Sequence, residues 1–444
     1  MFIQCPEYIN TAFRLLEQSG FKAYAVGGCV RDSLLGKTPD DWDMTTSSTP
    51  EETMETFKDY RVIPTGIKHG TVTVIIDGKH IEITTMRVDG EYNDNRRPDS
   101  VEFTTEIQKD LSRRDFTVNA MAYNHTDGLI DVFSGQEDLK NKTIRCVGNP
   151  DKRFNEDALR IIRALRFASV LDFKIETETA ESISENVSLI NNVANERIRV
   201  ELVKLLQGAA VERILTDYKN IIFTIIPELR KLDGFEQNTP YHIYDIWTHT
   251  IKVIANIKNT PELRVAALLH DVCKPECFTT DKNCVAHFKG HPEKSADKAV
   301  EILKNLRFSN AFIETVYNII LLHDMYPDGN KTTVAKFCSK YSPETVKLTL
   351  ELMRGDTAGK NPDFQEEQYD SYNLAEKQID EIVASGLCLK VSDLAVSGDI
   401  IRKLGFNGKD IGSVLNKLLD MVIEEKIPNQ TDILVSIAKS LKNN

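Results

Sequence analysis

Residues 1–20 carry their apolar positions at helical spacing, and the amphipathic helix they predict ends at Gly20. The apolar run 23–26 reads as a short buried strand, and Gly27 and Gly28 follow it at once. Residues 29–36 return to helical character, with Val30, Leu34 and Leu35 on one side. After a turn at 37–39 comes Asp41-Trp42-Asp43, where extended alternation sends both carboxylates to one face and Trp42 into a core. Residues 60–87 read as strands: 71–76 alternates, Asp77-Gly78 is a hairpin signal, and HIEITTMR sets Glu82 on the face opposite Ile81 and Ile83. The polar stretch 88–109 is expected to form a long mobile loop. A short apolar helix is expected over 116–123, preceded by Arg113 and Arg114, then a turn over 131–139 that closes a first domain. One strong helix is expected over 154–168 and two more over 175–207. The pattern stays helical to 240, with breaks at Pro227 and Gly234. Beyond about 365 an exposed acidic helix precedes a tail with Gly405, Gly408 and Gly412 ahead of an amphipathic helix. That tail end reads either as a plain helix cap or as a seat for an RNA phosphate.

Composition narrows the class. A chain of 444 residues suggests two to four domains. A net charge of −12 excludes a basic nucleic-acid coat, so any polyanion must meet local basic patches. The N-terminus lacks the features of a signal peptide, and no apolar run approaches the ~20 residues of a membrane span. The eight cysteines are scattered, as expected of reduced thiols and a cytoplasmic location. Cys273, Cys277 and Cys284 cluster loosely, and a structural zinc is the lesser reading there, because the spacing is not that of a ribbon or finger.

Two stretches carry candidate chemistry. Like charges as close as Asp41 and Asp43 repel unless a cation lies between them. Paired carboxylate oxygens suit Mg²⁺, and a glycine turn opening a helix suits a phosphate, so the two together point to phosphoryl transfer. Glu82 reads equally as a third carboxylate on a neighbouring strand or as a solvent-facing side chain. Arg113 and Arg114 read as a solvated pair or as a triphosphate clamp. Glu156, Arg160 and Arg163 form one polar stripe: either an exposed face held by ion pairs, or a base-recognition edge on which Asp accepts from an exocyclic amine and Arg donates to ring acceptors. Further on, six of the nine histidines lie between 242 and 323. His249, His270-Asp271, His291 and His323 sit on or at the ends of apolar helical stretches, where an unpartnered His-Asp doublet is costly and a divalent metal satisfies both groups. Asp356 is the candidate carboxylate that closes the set, with His291 and His323 for a second metal or a substrate phosphate.

Taken in order, VGGCVRDSLLGKTPDDWDMTTS, PTGIKHGTVTV, RVDGEYNDNRRPDSVEF, DLSRRDFTVNAMAY, DVFSGQEDL, RCVG, EDALRIIRALRF and NERIRVELVKLL resemble the class II tRNA nucleotidyltransferases, the CCA-adding enzymes with bacterial poly(A) polymerases as close relatives. The resemblance is dense over about 20–210. The histidine-rich part resembles an HD phosphohydrolase domain. The implied fold is α+β: a nucleotidyltransferase head with a small mixed or antiparallel sheet (1–143), then an all-α neck (144–208), body helices (209–240), an HD domain (241–365) and a helical tail that would bind tRNA (366–444).

By resemblance, Asp41 and Asp43 bind catalytic Mg²⁺; Gly27, Gly28 and Arg31 meet the triphosphate with Arg113 and Arg114; Asp157 and Arg160, with Arg163 beyond them, select CTP or ATP. The loop holding Glu91, Tyr92, Asp94, Arg96 and Arg97 would help the switch from C to A. His249, His270, Asp271 and Asp356 would bind the HD metal, a divalent transition ion. The implied partners are tRNA, CTP and ATP, with no membrane. Two alternatives stay open: a poly(A) polymerase or A-adding enzyme, and an HD phosphohydrolase whose head only binds RNA.

Overall fold

The computed structural model describes residues 3–90, 101–325, 327 and 329–442. It divides into two compact units, Met1–Pro227 and Glu228–Asn444.

Unit 1 begins with α1 (Glu7–Gln18), closed by Gly20 at φ +85. Its centre is a seven-stranded mixed sheet built from β1 (Ala23–Val26), β2 (Asp43–Thr46), β3 (Arg61–Gly66), β4 (Thr71–Ile76), β5 (Lys79–Thr85), β8 (Ala122–Asn124) and β9 (Gly128–Ile130), in the order β3-β4-β5-β2-β1-β8-β9. Of these pairings only β2 with β5 is parallel. The hairpin at Asp77-Gly78 joins β4 to β5, with both residues at positive φ. The helices α2 (Gly28–Leu34), α3 (Pro50–Thr56), α4 (Ile107–Ser112) and α5 (Gly135–Lys140) accompany the sheet, while β6 (Arg87–Asp89) and β7 (Val101–Phe103) pair as a separate antiparallel ribbon. Residues 91–100, which carry Glu91, Tyr92, Asp94, Arg96 and Arg97, lie outside the described residues.

The helical part of unit 1 comprises α6 (Pro150–Glu156), α7 (Leu159–Leu171), α8 (Thr177–Glu185), α9 (Asn195–Leu206), α10 (Val211–Asp217) and α11 (Lys219–Ile225), with β10 (Thr143–Ile144) and β11 (Lys174–Ile175) paired in parallel.

Four local expectations need correction. The apolar run 116–123 is not a helix but a 3-10 turn, Thr117–Asn119, running into β8; a short apolar run does not distinguish a buried strand from a buried helix. Arg113 and Arg114 therefore follow the end of α4 instead of opening a helix. The turn at 131–139 contains most of α5. The single helix over 154–168 is two, because Asp157 is extended (φ −146, ψ 101) and separates α6 from α7.

Unit 2 is helical: α12 (Ile246–Ala255), α13 (Pro261–Leu269), α14 (His291–Asn305), α15 (Asn310–Leu322), α16 (Lys331–Tyr341), α17 (Pro343–Ala358), α18 (Glu366–Ala384), α19 (Gly398–Lys403), α20 (Lys409–Ile423) and α21 (Thr431–Ser440), with a small ribbon of β12 (Thr279–Thr280) and β13 (Ala286–His287). The acidic helix α18 is not exposed all round: Tyr372, Ala375, Ile379 and Ile382 join a core that also takes Leu415, Leu418 and Leu419 from α20. Among the described residues no helix is long and apolar enough to cross a membrane.

The approach of α12 to α17 depends on Gly355. A Cβ there would lie 2.0 Å from the Ile257 Cγ2 and 3.2 Å from the Val253 carbonyl oxygen. Helix propensity favours Ala over Gly by up to ~1 kcal/mol, but overpacking a β-branched neighbour costs about 1–3 kcal/mol. Gly355→Ala is expected to lower the stability of unit 2 by about 1–2 kcal/mol, read from Trp247 fluorescence during urea unfolding in a Trp42→Phe background.

Candidate functional site

The first site is built where β1, β2 and β5 meet α2. Ala23 to Val26 are buried throughout, so β1 is a central strand whose end delivers the glycine turn into the site. Gly27 caps α2 at φ +78, a conformation that side chains rarely adopt, and a Cβ on it would lie 3.0 Å from Arg114 Nη1. The guanidinium of Arg114 thus lies over the glycine turn. Trp42 is buried while Asp41 and Asp43 are exposed, the predicted alternation. Glu82 is the cross-strand partner of Asp43 and is exposed like it, so a third carboxylate stands beside the pair. Although the Asp43 side chain reaches solvent, the protein around its carboxyl removes much of its hydration. That raises its pKa, the negative charges of Glu82 and Asp41 raise it further, Arg114 opposes them, and the result is about 6. Carboxylates this crowded are a fit for a hard divalent cation.

Around the turn runs a chain of charged groups. Arg31 donates to both carboxylate oxygens of Asp32 (2.8 and 2.9 Å) and to Asn119 Oδ1 (2.7 Å). Asn119 donates in turn to Asp115 Oδ1 (3.2 Å), and Asp115 Oδ2 accepts twice from Arg163, at 2.9 and 2.6 Å. Arg163 and Arg166 both reach Glu201 on α9. Arg31, Arg163 and Arg166 also surround the Phe167 ring, at 5.2, 5.3 and 3.5 Å from its centroid. Burial by itself would raise the Asp115 carboxyl, but Arg163 outweighs it and brings it down to about 2. Asp110 is fully buried, and burial would raise it too; Arg113 (2.8 Å) and Arg114 (3.4 Å) hold it low instead.

The break at Asp157 places this carboxylate beside α9. Arg197 grips it in bidentate fashion (3.1 and 2.7 Å), and Oδ1 also accepts from the Leu159 N–H (3.1 Å). Arg160 donates to Glu156 Oε2 (2.8 Å) and to the Arg113 carbonyl (3.1 Å). It is 8% exposed, so the stripe is not a solvated face. The Arg160–Arg113 bond ties the candidate base-selecting pair to the candidate triphosphate arginines.

The second site lies in unit 2. His249 from α12, His270 and Asp271 after α13, His291 at the start of α14, His323 after α15 and Asp356 on α17 are all buried and converge. His249, His270 and Asp271 form one group with metal-ligand spacing, and Asp271, His291 and His323 form another, sharing Asp271. Each imidazole has its Nδ1 on a backbone carbonyl: His249 on Gly359, His270 on Ala267, His291 on Phe288 and His323 on Ile320. A neutral ring has only one N–H, so its Nε2 is then a bare lone pair. Yet His249 Nε2 lies 2.9 Å from Asp356 Oδ1, and the Nε2 atoms of His291 and His323 lie 3.1 Å apart. His270 Nε2 and Asp271 Oδ1 are buried with no hydrogen-bond partner. Inward-facing lone pairs with Nδ1 fixed on carbonyls are the arrangement of metal-binding histidines, and this donor set suits a divalent transition ion. Lys274 and Lys360 pair with the second oxygens of Asp271 and Asp356, both at close range (2.8 and 2.5 Å).

Comparison with known proteins bears on both units. The Poly A polymerase head domain matches residues 23–145, the probable RNA and SrmB-binding site of polymerase A matches 172–231, and tRNA nucleotidyltransferase domain 2 matches 277–438. The CCA-adding enzyme of Lactobacillus helveticus is 33% identical over 99% of this chain and 98% of its own. The chain belongs to the CCA-adding enzyme family. A CCA-adding enzyme of Enterococcus faecalis is 51% identical over 195 residues, 44% of this chain and 48% of its own. The Bacillus stearothermophilus CCA-adding enzyme, solved with CTP, superposes with a TM-score of 0.74 at 26% identity, over 99% of this chain and 100% of that one.

Within this CCA-adding enzyme scaffold the structure brings Gly27, Arg31, Asp43, Glu82 and Arg114 to one place and Asp157, Arg160 and Arg163 to another that adjoins it. Sequence reasoning missed Asp110, Asp115, Asn119, Arg197 and Glu201. An acid directly after Arg113-Arg114 is a readable signal for Asp115; Arg197 has none, since its partner is forty residues away.

The Asp115–Arg163 pair yields a test. A depressed carboxylate contributes stability in full above its unfolded pKa near 3.8 and loses it as pH falls towards about 2. Asp115→Asn is expected to cost about 1–2 kcal/mol at pH 7, since it removes the charged partner of a half-buried guanidinium that keeps Glu201. In urea titrations the gap from wild type should hold from pH 7 to pH 5 and narrow below pH 4.

Proposed function

We propose that this protein adds C, C and A to the 3′ end of tRNA from CTP and ATP, without a template strand and with release of pyrophosphate. One observation carries the reading: within a single unit, Arg114 lies over a glycine turn beside clustered carboxylates, and Arg160 of the Asp–Arg pair donates to the backbone carbonyl of its neighbour Arg113. Family membership supports it, as does the CTP bound by the Bacillus stearothermophilus relative.

In this reading Gly27 and Gly28 offer backbone N–H groups to the triphosphate, and Arg31, Arg113 and Arg114 meet its oxygens. Asp41 and Asp43 would hold Mg²⁺, with Glu82 as a third carboxylate. When bound, Mg²⁺ lowers the pKa of the RNA 3′-hydroxyl and offsets charge on the triphosphate. Asp157 accepts from the exocyclic amine that cytosine and adenine share, and Arg160 donates to a ring acceptor. Arg197 and Glu156 keep these two side chains in place, and Arg163, committed to Asp115 and Glu201, supports them from behind. The loop with Glu91, Tyr92, Asp94, Arg96 and Arg97 would serve the switch from C to A. The neck and tail would hold tRNA by shape and backbone.

The orphaned lone pairs of unit 2 favour a second activity. We infer an HD domain over 241–365, in which His249, His270, Asp271 and Asp356 hold one divalent metal and His291 and His323 hold a second through the shared Asp271. Such a metal supplies an activated water, which suits a phosphohydrolase or phosphodiesterase that trims 3′ ends for repair.

Both readings are testable. With tRNA transcripts ending before C, CC and CCA, CTP and ATP together should complete CCA, while CTP alone should stop after the second C. Incorporation of ATP but no CTP would make the enzyme a poly(A) or A-adding polymerase. Asp43→Asn should lower incorporation on the order of 10² or more with an unchanged circular dichroism spectrum. For unit 2, elemental analysis after dialysis against Mn²⁺ or Ni²⁺ should find bound metal in the wild type and a loss of at least one equivalent in Asp271→Ala; equal metal in both proteins would end the HD reading.

A further inference from the structure

Lys360 has no part in the chemistry above, yet it stands against one of the candidate metal ligands. Asp356 lies in the last turn of α17 and turns Oδ1 to His249 Nε2 (2.9 Å) and His270 Nε2 (3.8 Å). Its other oxygen, Oδ2, takes the Lys360 ammonium at 2.5 Å. The Lys360 side chain is 19% exposed, so little water competes for that oxygen.

The backbone that carries Lys360 is held at three consecutive residues. The Gly359 carbonyl accepts from His249 Nδ1 (3.1 Å), and a Cβ on Gly359 would lie 2.9 Å from that nitrogen, so the close approach of the ring requires glycine. Lys360 donates its N–H to the Thr357 carbonyl (3.0 Å) and accepts from Gln365 Nε2 (3.0 Å). Asn361 donates from its backbone N–H to the Tyr241 carbonyl (2.8 Å) and from Nδ2 to the Pro240 carbonyl (3.1 Å). The same short segment thus fixes the tautomer of one candidate ligand and occupies an oxygen of another.

The two carboxylates of the centre differ in what they leave free. Asp271 Oδ2 lies 3.2 Å from His270 Nε2 and 3.8 Å from His249 Nε2, while its Oδ1 lies 3.2 Å from His291 Nε2, so its oxygens serve different histidine pairs. Asp356 meets only the first pair among the described residues, and without Lys360 both its oxygens would be free for one ion. Ligand atoms about 2.1 Å from a divalent ion stand roughly 3.0 Å apart in an octahedron and roughly 3.4 Å apart in a tetrahedron. The contacts that link His249 Nε2, His270 Nε2, Asp271 Oδ2 and Asp356 Oδ1 run from 2.9 to 3.8 Å, which is of that size. With Asp356 Oδ2 held, a six-coordinate ion there takes four protein atoms and keeps two positions open; with both oxygens bound it takes five and keeps one. Activating a water beside a bound phosphoryl oxygen needs two.

We propose that Lys360 is a positioning residue of the histidine centre: by occupying Asp356 Oδ2 it limits that carboxylate to one metal bond and keeps open the position that a substrate oxygen takes. The inference rests on the HD reading. A lysine that only supported the ligand would leave a different signature, because loss of such a partner typically weakens metal binding about 10–100-fold. Removing Lys360 does the reverse: it frees an oxygen donor and takes away a positive charge beside the ion.

The test loads the full chain with Mn²⁺ and compares wild type with Lys360→Met, with Lys360→Arg, and with Asp356→Asn and Lys360→Met combined. Water-proton relaxation counts the exchangeable waters on bound Mn²⁺, and equilibrium dialysis gives the metal affinity. Lys360→Met is expected to lose about one water and to bind Mn²⁺ about tenfold tighter, with hydrolysis of p-nitrophenyl phosphate at least about tenfold slower. Lys360→Arg, whose guanidinium also covers Oδ2, keeps the wild-type water count. The double variant keeps it too, because an amide nitrogen has no lone pair to offer in place of Oδ2. An unchanged water count in Lys360→Met, or metal binding weakened about 10–100-fold, overturns the inference and leaves the HD reading in place. If Lys360→Met does not fold, the double variant decides alone: a count equal to wild type is expected, and one water more overturns the inference. Absence of bound Mn²⁺ in the wild type ends the HD reading and the inference with it.

Discussion

A charge taken out of water must find its opposite, and in unit 1 the Asp115–Arg163 pair is where that requirement joins strand and helix. Asp115 leaves the sheet side just after α4, and Arg163 comes from the middle of α7. The Asp115 carboxylate, largely withdrawn from water, is costly without its partner, and Arg163 is half-buried against it. Through Asn119 the pair reaches Arg31 beside the glycine turn, and through Glu201 it reaches α9, which also supplies Arg197 to Asp157. The groups that would meet a triphosphate and those that would read a base are thus set by one connected run of ion pairs. A shift of α7 cannot leave the glycine turn undisturbed.

Unit 2 answers the same requirement differently. Of its buried carboxylates, Asp356 has Lys360 on Oδ2 and His249 on Oδ1, while Asp271 shares Oδ2 between Lys274, His249 and His270 and turns Oδ1 to His291 and His323. Four rings with Nδ1 already spent turn lone pairs to a common centre. The close passage of α12 against Gly355 allows His249 to reach Asp356 from a neighbouring helix.

Much of this is legible in the chain. The buried strand, glycine turn and helix from 23 to 34 follow from local pattern, as do the two-faced Asp41-Trp42-Asp43 and the Asp77-Gly78 hairpin. Glu82 could be assigned a face but not a partner, because strand register across β2 and β5 depends on where a distant connection returns. The extended Asp157 was hidden for a similar reason: FNEDALRIIRALRF has good helical periodicity throughout, and what stabilises the break is Arg197, contributed by another helix. Arg160 was assigned to a polar stripe, and its burial follows only from the way α7 lies against the segment after α4. The histidines were visible as a set because their composition is unusual, whereas the sharing of Asp271 between two groups is a matter of tertiary approach.

The partial burial of the arginine–carboxylate run has a bearing on ionic strength. Mobile ions screen charges they can surround, at a Debye length near 10 Å in ~0.1 M salt, and reach buried pairs poorly. A grip on an RNA backbone, by contrast, weakens steeply as salt rises. The internal geometry that sets Asp157 and Arg160 should therefore outlast the hold on a polynucleotide, and salt becomes a dial that separates holding the RNA from choosing the nucleotide.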